Sequence, residues 1–126
     1  MKQVMMTTQE VANRYCQLAN HNKWPEILAE LCSQDLLNKE PEHVIARGVK
    51  TTTKGLNEVK AKGEANRAMI EEIYSQHCST PLVAGNFFTV VLSRDISFKG
   101  KPRMQLEEIG IFELKDGKII LEQFFY

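Results

Sequence analysis

The sequence has little of what would mark several protein classes. Lysine plus arginine and aspartate plus glutamate number 16 each, so the formal net charge is zero. The broad basic surplus by which nucleic-acid binders hold phosphate is missing, and no nucleic-acid partner is expected. The three cysteines, Cys16, Cys32 and Cys78, stand far apart with no Cys-x-x-Cys pair. That speaks against a structural zinc or a thioredoxin-type motif. A reducing compartment fits such cysteine usage, so a cytoplasmic location is expected. No His/Asp/Glu cluster has metal-ligand spacing, so no metal is expected, and nothing in the chain implies another cofactor. The longest apolar region, "LVAGNFFTVVL", is interrupted by Gly85 and Asn86. It is too short to span a bilayer, and no membrane partner is expected. The opening "MKQVMMTTQE" lacks the apolar stretch and small-residue cleavage pattern of a signal peptide.

What is present reads as one globular domain, residues 1–126, with 43% hydrophobic and 25% charged residues. That length can bury a core without disulfide or metal staples. Thr7 followed by Glu10 is a capping-box pattern and opens a first helix, with Val11, Tyr15 and Leu18 on its apolar stripe. Trp24-Pro25 begins a short second helix that buries Ile27, Leu28 and Leu31. A third runs roughly over residues 56–70. After Glu71 the period changes to alternation. "GN" at 85–86 and "DG" at 116–117 read as tight hairpin turns, and "KGKP" at 99–102 as a longer connection. The spacing predicts four long antiparallel strands near residues 73–84, 87–98, 103–115 and 118–126, with a short strand around 36–40. The class is α+β: three N-terminal helices packed on the concave face of a curved antiparallel sheet.

The turns imply a register. Leu114 is expected opposite Ile119, Phe112 opposite Leu121, Val83 opposite Phe88, and His77 opposite Arg94. With a five-residue middle connection, Val90 meets Phe112 and Arg94 meets Glu108. An apolar face then carries Phe88, Val90, Leu92, Phe112, Leu114, Leu121 and Phe125, with a polar row of His77, Arg94 and Glu108 set into it. Charges on a buried face are costly unless paired, so the row reads either as a structural ion pair or as a site. The middle register also sets Asp95 against Glu107, an unfavourable pair. Pro81 is a candidate for a bulge in the first long strand.

These features resemble the nuclear transport factor 2-like, or cystatin-like α+β cone, superfamily, and within it the SnoaL-like domains. The resemblance rests on "ANRYCQLANHNKWPEILAELCSQD", "KGLNEVKAKG" and "MQLEEIGIFELKDGKIILEQFFY", and spans nearly the whole chain. It implies helices that close the sheet into a cone with an internal pocket. Ketosteroid isomerases of this superfamily use an Asp before a Pro as catalytic base. Glu40 before Pro41 holds the similar position here, and Tyr15 in "NRYC" resembles their oxyanion-donating Tyr. The position of their second donor falls near Gly110, which cannot donate, with Glu108 two residues away. Glu108 and His77 are similar in kind to the acid/base Asp and His of polyketide cyclases.

The resemblance therefore implies a pocket for a small apolar molecule and cofactor-free acid–base proton transfer on a carbonyl substrate, of isomerase or cyclase type. Glu40, Glu108 and His77 are the candidate catalytic residues, with a carboxyl pKa raised by desolvation. Tyr15, Arg94, Phe112 and Leu92 are the expected substrate-binding residues. The alternative is a non-catalytic dimeric binding or interaction module of the same fold. Phe87, Val91, Ile109, Ile111, Ile120, Phe124 and Tyr126 are expected on the outer face, which is too apolar for open solvent and predicts a homodimer.

Overall fold

A computed structural model describes residues 5–126; the first four residues of the 1–126 domain and of its N-terminal stretch lie outside them. Helix α1 (Thr8–Asn20) opens on the expected capping box, in which the Thr7 hydroxyl accepts from the Glu10 amide and the Glu10 carboxylate from the Thr7 amide. Helix α2 (Trp24–Leu31) has Pro25 in its first turn, where a missing N–H costs nothing. The chain passes directly into strand β1 (Cys32–Lys39), then a 3-10 turn over Glu42–Arg47, the short β2 (Thr52–Lys54) and helix α3 (Leu56–Ala68). The rest is sheet: β3 (Ile70–Cys78), β4 (Leu82–Ala84), β5 (Phe87–Phe98), β6 (Met104–Lys115) and β7 (Lys118–Phe125). Strand order is β2-β1-β7-β6-β5-β3, with β4 also on β5. The long strands pair antiparallel, as expected, while β1 lies parallel beside β7. No described helix is long and apolar enough to cross a membrane.

The helices lie over the concave face. Tyr15 from α1 sits with its ring 4.6 Å from Phe112 and 5.7 Å from Phe88, and those two phenylalanines stack at 4.5 Å. Gly110 makes room for this cluster. A Cβ there would meet the Phe112 ring at 2.8 Å and the Phe124 ring at 3.2 Å.

Three registers differ from the sequence-based expectation, and each has a local cause. Between β5 and β6, Val90 faces Gly110, Phe88 faces Phe112, and Glu108 faces Leu92 rather than Arg94. This two-residue shift keeps each side chain on its expected face. It also separates Asp95 from Glu107, setting Asp95 opposite Gln105, and Arg103 binds the Asp95 carboxylate through two nitrogens at 2.8 and 2.7 Å.

The expected first long strand is broken at Ser79–Pro81, where proline has no amide to give to a ladder. Val83 still faces Phe88, but beyond the break His77 faces Ser93 and Gln76 faces Arg94. A one-residue slip exchanges the faces. His77 is exposed, and Gln76 takes the inward place. At the other side, Leu114 faces Ile119 as expected, but Glu113 then faces Leu121, leaving Ile120 as a bulge. From that point Glu122 and Phe124 turn inward, and Phe125 is exposed in place of Phe124.

Candidate functional site

The bulge at Ile120 sets Glu122 opposite Phe112 on one side and beside Asn38 of β1 on the other. Alternation along β1 sends Leu36, Asn38 and then Glu40 under the helices. Asn38 is only 3% exposed and Glu122 8%. The Asn38 amide donates to Glu122 Oε1 at 3.0 Å, and its carbonyl accepts from Lys62 Nζ of α3 at 2.8 Å. The same ammonium reaches Glu40 Oε1 at 3.4 Å and the Lys50 carbonyl at 3.3 Å. Glu40, its side chain 12% exposed, accepts from the Tyr126 hydroxyl at 2.9 Å. His43 stands edge-on to the Tyr126 ring, 5.8 Å away. Glu122, Asn38, Lys62, Glu40 and Tyr126 thus form one chain of hydrogen bonds running from the floor of the cone to its rim.

The electrostatics separate these groups. Burial pushes the Glu122 carboxyl up to about 7, an effect that the Asn38 hydrogen bond partly offsets and the charge of Glu40 reinforces. Glu108, on the same face, is also raised, chiefly by burial, with Arg94 pulling the other way and Glu40 adding to the rise. The Tyr15 hydroxyl is held well above its ordinary range by burial and then by the carboxylates of Glu122 and Glu108, among other negative groups. It stays protonated and can donate a hydrogen bond. Such a set can accept a proton, return one, and offer a hydrogen bond to a developing oxyanion.

A cleft of about 470 Å³ opens at the β3 side, lined by Trp24, Arg67, Ile70, Ile73 and Arg94, with Asn22, Glu71 and Glu72 completing the wall. Arg94 and Glu108 lie two residues apart in register and form no ion pair among the described residues. The buried Oε1 of Gln76, opposite Arg94, has no hydrogen-bond partner among the described residues.

The fold brings Tyr15, Glu40, Glu108, Leu92, Phe112 and Arg94 to the concave face. His77 is on the other side of the sheet. Glu122, Asn38 and Lys62 were missed. In the sequence Glu122 falls on the outward phase of an unbroken strand, and Asn38 looks like an ordinary strand polar residue. The one available signal was that Leu36, Asn38 and Glu40 share a phase, which makes Asn38 as inward as its neighbours.

Helices packed over the concave face of a curved sheet, with ionisable groups buried between the layers, define the α+β cone class. Within it, this chain belongs to the SnoaL-like domain family, whose model matches residues 6–126. Solved structures agree on the fold. A candidate SnoaL-like polyketide cyclase from Mesorhizobium loti is 22% identical, with a TM-score of 0.87 over 96% of this chain and 100% of that one. A nuclear transport factor 2-like protein of unknown function from Burkholderia pseudomallei is 17% identical, with a TM-score of 0.78 over 96% and 92%. TerC, crystallised with polyporic acid, is 16% identical, with a TM-score of 0.73 over 91% of each chain. No curated protein sequence matches the chain.

Proposed function

We propose that the protein is a cofactor-free proton-transfer enzyme of isomerase or cyclase type, acting on a small, largely apolar carbonyl compound. The observation that carries this reading is the buried Glu122 carboxyl, raised to about 7, with a second raised carboxyl, Glu108, farther along the same face. A base with a pKa near the working pH combines a useful ionised fraction with useful basicity. Each of the two is raised chiefly by its own burial, and the charge of Glu40 adds to both.

The substrate enters at the cleft past Trp24 and Ile73 and must part the packing around the buried Leu92 and Phe112 to reach Glu122. The Glu122 carboxylate removes a proton from the carbon next to the carbonyl. The Tyr15 hydroxyl donates to the enolate oxygen that forms. Glu122, now carrying that proton, returns it to another carbon in isomerisation; in cyclisation the enolate carbon attacks a second carbonyl of the same molecule and Glu122 gives its proton to the new alkoxide. Asn38 positions Glu122, Lys62 holds Asn38, and Glu40 holds Lys62. His77, exposed on the opposite face, has no part in this mechanism.

The test is solvent-deuterium exchange at the α-carbon of 2-tetralone, followed by NMR in heavy water. Exchange above the buffer rate, lost in Glu122→Gln and reduced in Tyr15→Phe, is the expected result. Binding of 2-tetralone without exchange would favour the non-catalytic binding module instead.

We infer also that two copies pair through the outer face. Val91 faces Ile109 and Ile109 faces Phe125 across three adjacent strands, with Phe87 and Ile111 beside them, and all five are exposed. A two-fold pairing buries this strip against itself. Sedimentation should give a dimer at micromolar concentration and a monomer for Ile109→Glu. A monomeric parent protein would overturn the pairing.

A further inference from the structure

Cys16 and Cys78 are 62 residues apart in sequence, yet their sulfurs lie 3.0 Å from one another. The meeting follows from the break in the sheet. Because β3 ends at Cys78, the slip that turns His77 outward turns Cys78 inward, opposite Leu92 and beneath α1. Asn20 of the same helix clasps that strand end. Its side-chain oxygen accepts from the Cys78 amide at 2.8 Å, and its nitrogen donates to the Cys78 carbonyl at 3.4 Å. Both sulfurs also approach the Ser79 carbonyl, at 3.3 and 3.7 Å. The backbone is therefore fixed on both sides of the pair, and a disulfide would require only a short closure of the two side chains.

We propose that Cys16 and Cys78 are a modification site: a dithiol that peroxide converts to an intramolecular disulfide and that a small thiol restores. Cys16 reacts first. It is the less enclosed of the two, 9% exposed against 4%. The Cys78 thiol donates to it, which favours the Cys16 thiolate and holds Cys78 in the thiol form. The Cys16 thiolate attacks one peroxide oxygen, the O–O bond breaks, and a sulfenic acid forms while hydroxide leaves to become water. The Cys78 sulfur then attacks the Cys16 sulfur, loses its proton and expels a second water. Two electrons pass from the thiols to peroxide, and one S–S bond forms. Cys32, also buried but with no sulfur partner among the described residues, stays a thiol.

The bond would tie α1 to the end of β3 across a long loop, constraining the unfolded chain and raising the melting temperature by roughly 10 °C. Because Cys16 follows Tyr15, it would also fix the helix that carries the proposed oxyanion donor.

The test treats the full chain with hydrogen peroxide, alkylates it under denaturing conditions, and maps the peptides by mass spectrometry. The expected result is loss of two of the three alkylatable thiols, a cross-linked peptide pair holding Cys16 and Cys78, and full recovery with dithiothreitol. In Cys78→Ser the disulfide is lost, and Cys16 instead advances to sulfinic acid. Should that variant not fold, the peptide map of the parent protein decides alone. Retention of three alkylatable thiols, a cross-link through Cys32, or sulfinic acid at Cys16 in the parent would overturn the proposal.

Discussion

On the β1–β7 side of the concave face, Asn38 and Glu122 sit in a chain of partners that ends at Lys62, Glu40 and Tyr126. On the β3–β5 side, Gln76 keeps a buried oxygen without a partner, and Arg94 opens onto a cleft. Both sides carry an interruption that shifts the register by one residue, the bulge at Ile120 and the break at Ser79–Pro81. The outcomes are opposite. The bulge brings a carboxyl inward to a waiting amide, while the break sends an imidazole outward and brings in an amide whose oxygen has no partner among the described residues. The first side also keeps one buried hydroxyl unpartnered among the described residues, that of Thr53 opposite Asn38, so the contrast rests on the Asn38–Glu122 chain itself.

The largest expected effect is at Glu122, and it depends on pH. The folded state holds this proton up to about 7, against an ordinary carboxyl value of 4.5. Between those values the folded chain binds more protons than the unfolded one, so the stability linked to this group falls as pH rises. It is fully present below about 4.5 and lost as pH passes through 7. Glu122→Gln removes the titration and should raise stability by about 3 kcal/mol at pH 8, with little gain at pH 4. Denaturant melts at the two pH values check this.

Asn38→Ala should cost about 2 kcal/mol, because it strips a partner from both Glu122 and Lys62. It should also push the Glu122 carboxyl higher, since the Asn38 hydrogen bond holds it down. Gln76→Leu on the other side should be neutral or stabilise by about 1 kcal/mol, since it removes a buried acceptor that has no donor. A loss as large as that at Asn38 would erase the contrast between the two sides. Smallest of all, His77→Ala should change stability by less than about 0.5 kcal/mol, as expected of an exposed strand residue.

The same two interruptions explain what the sequence disclosed. Helices and turns were legible because their signals are local: the Thr7–Glu10 capping box, Pro25 in a first turn, Asp116-Gly117 with both residues at positive φ. Strand faces were legible as far as register stayed regular, which covers Phe88 to Ile96 and Leu114 with Ile119. A bulge leaves almost no composition signal, and a single extra residue inverts everything beyond it. Leu121 and Phe125 were therefore expected inside where Glu122 and Phe124 are found. Pro81 did give warning of the other interruption, though not of its consequence for His77. Glu40 was reached by alternation along a short strand, and the same alternation pointed to Asn38. What the sequence could not supply was the neighbour: β1 meets β7 in parallel, from opposite ends of the chain, with no turn to set the register.

The central claim is that Glu122 is a buried acid poised near neutrality. Carbon-13 NMR of the labelled Glu122 side-chain carboxyl across a pH titration tests it directly, with Glu122→Gln to assign the signal. The account predicts a midpoint of about 7. A midpoint near 4.3, the value of a carboxyl in water, would contradict it.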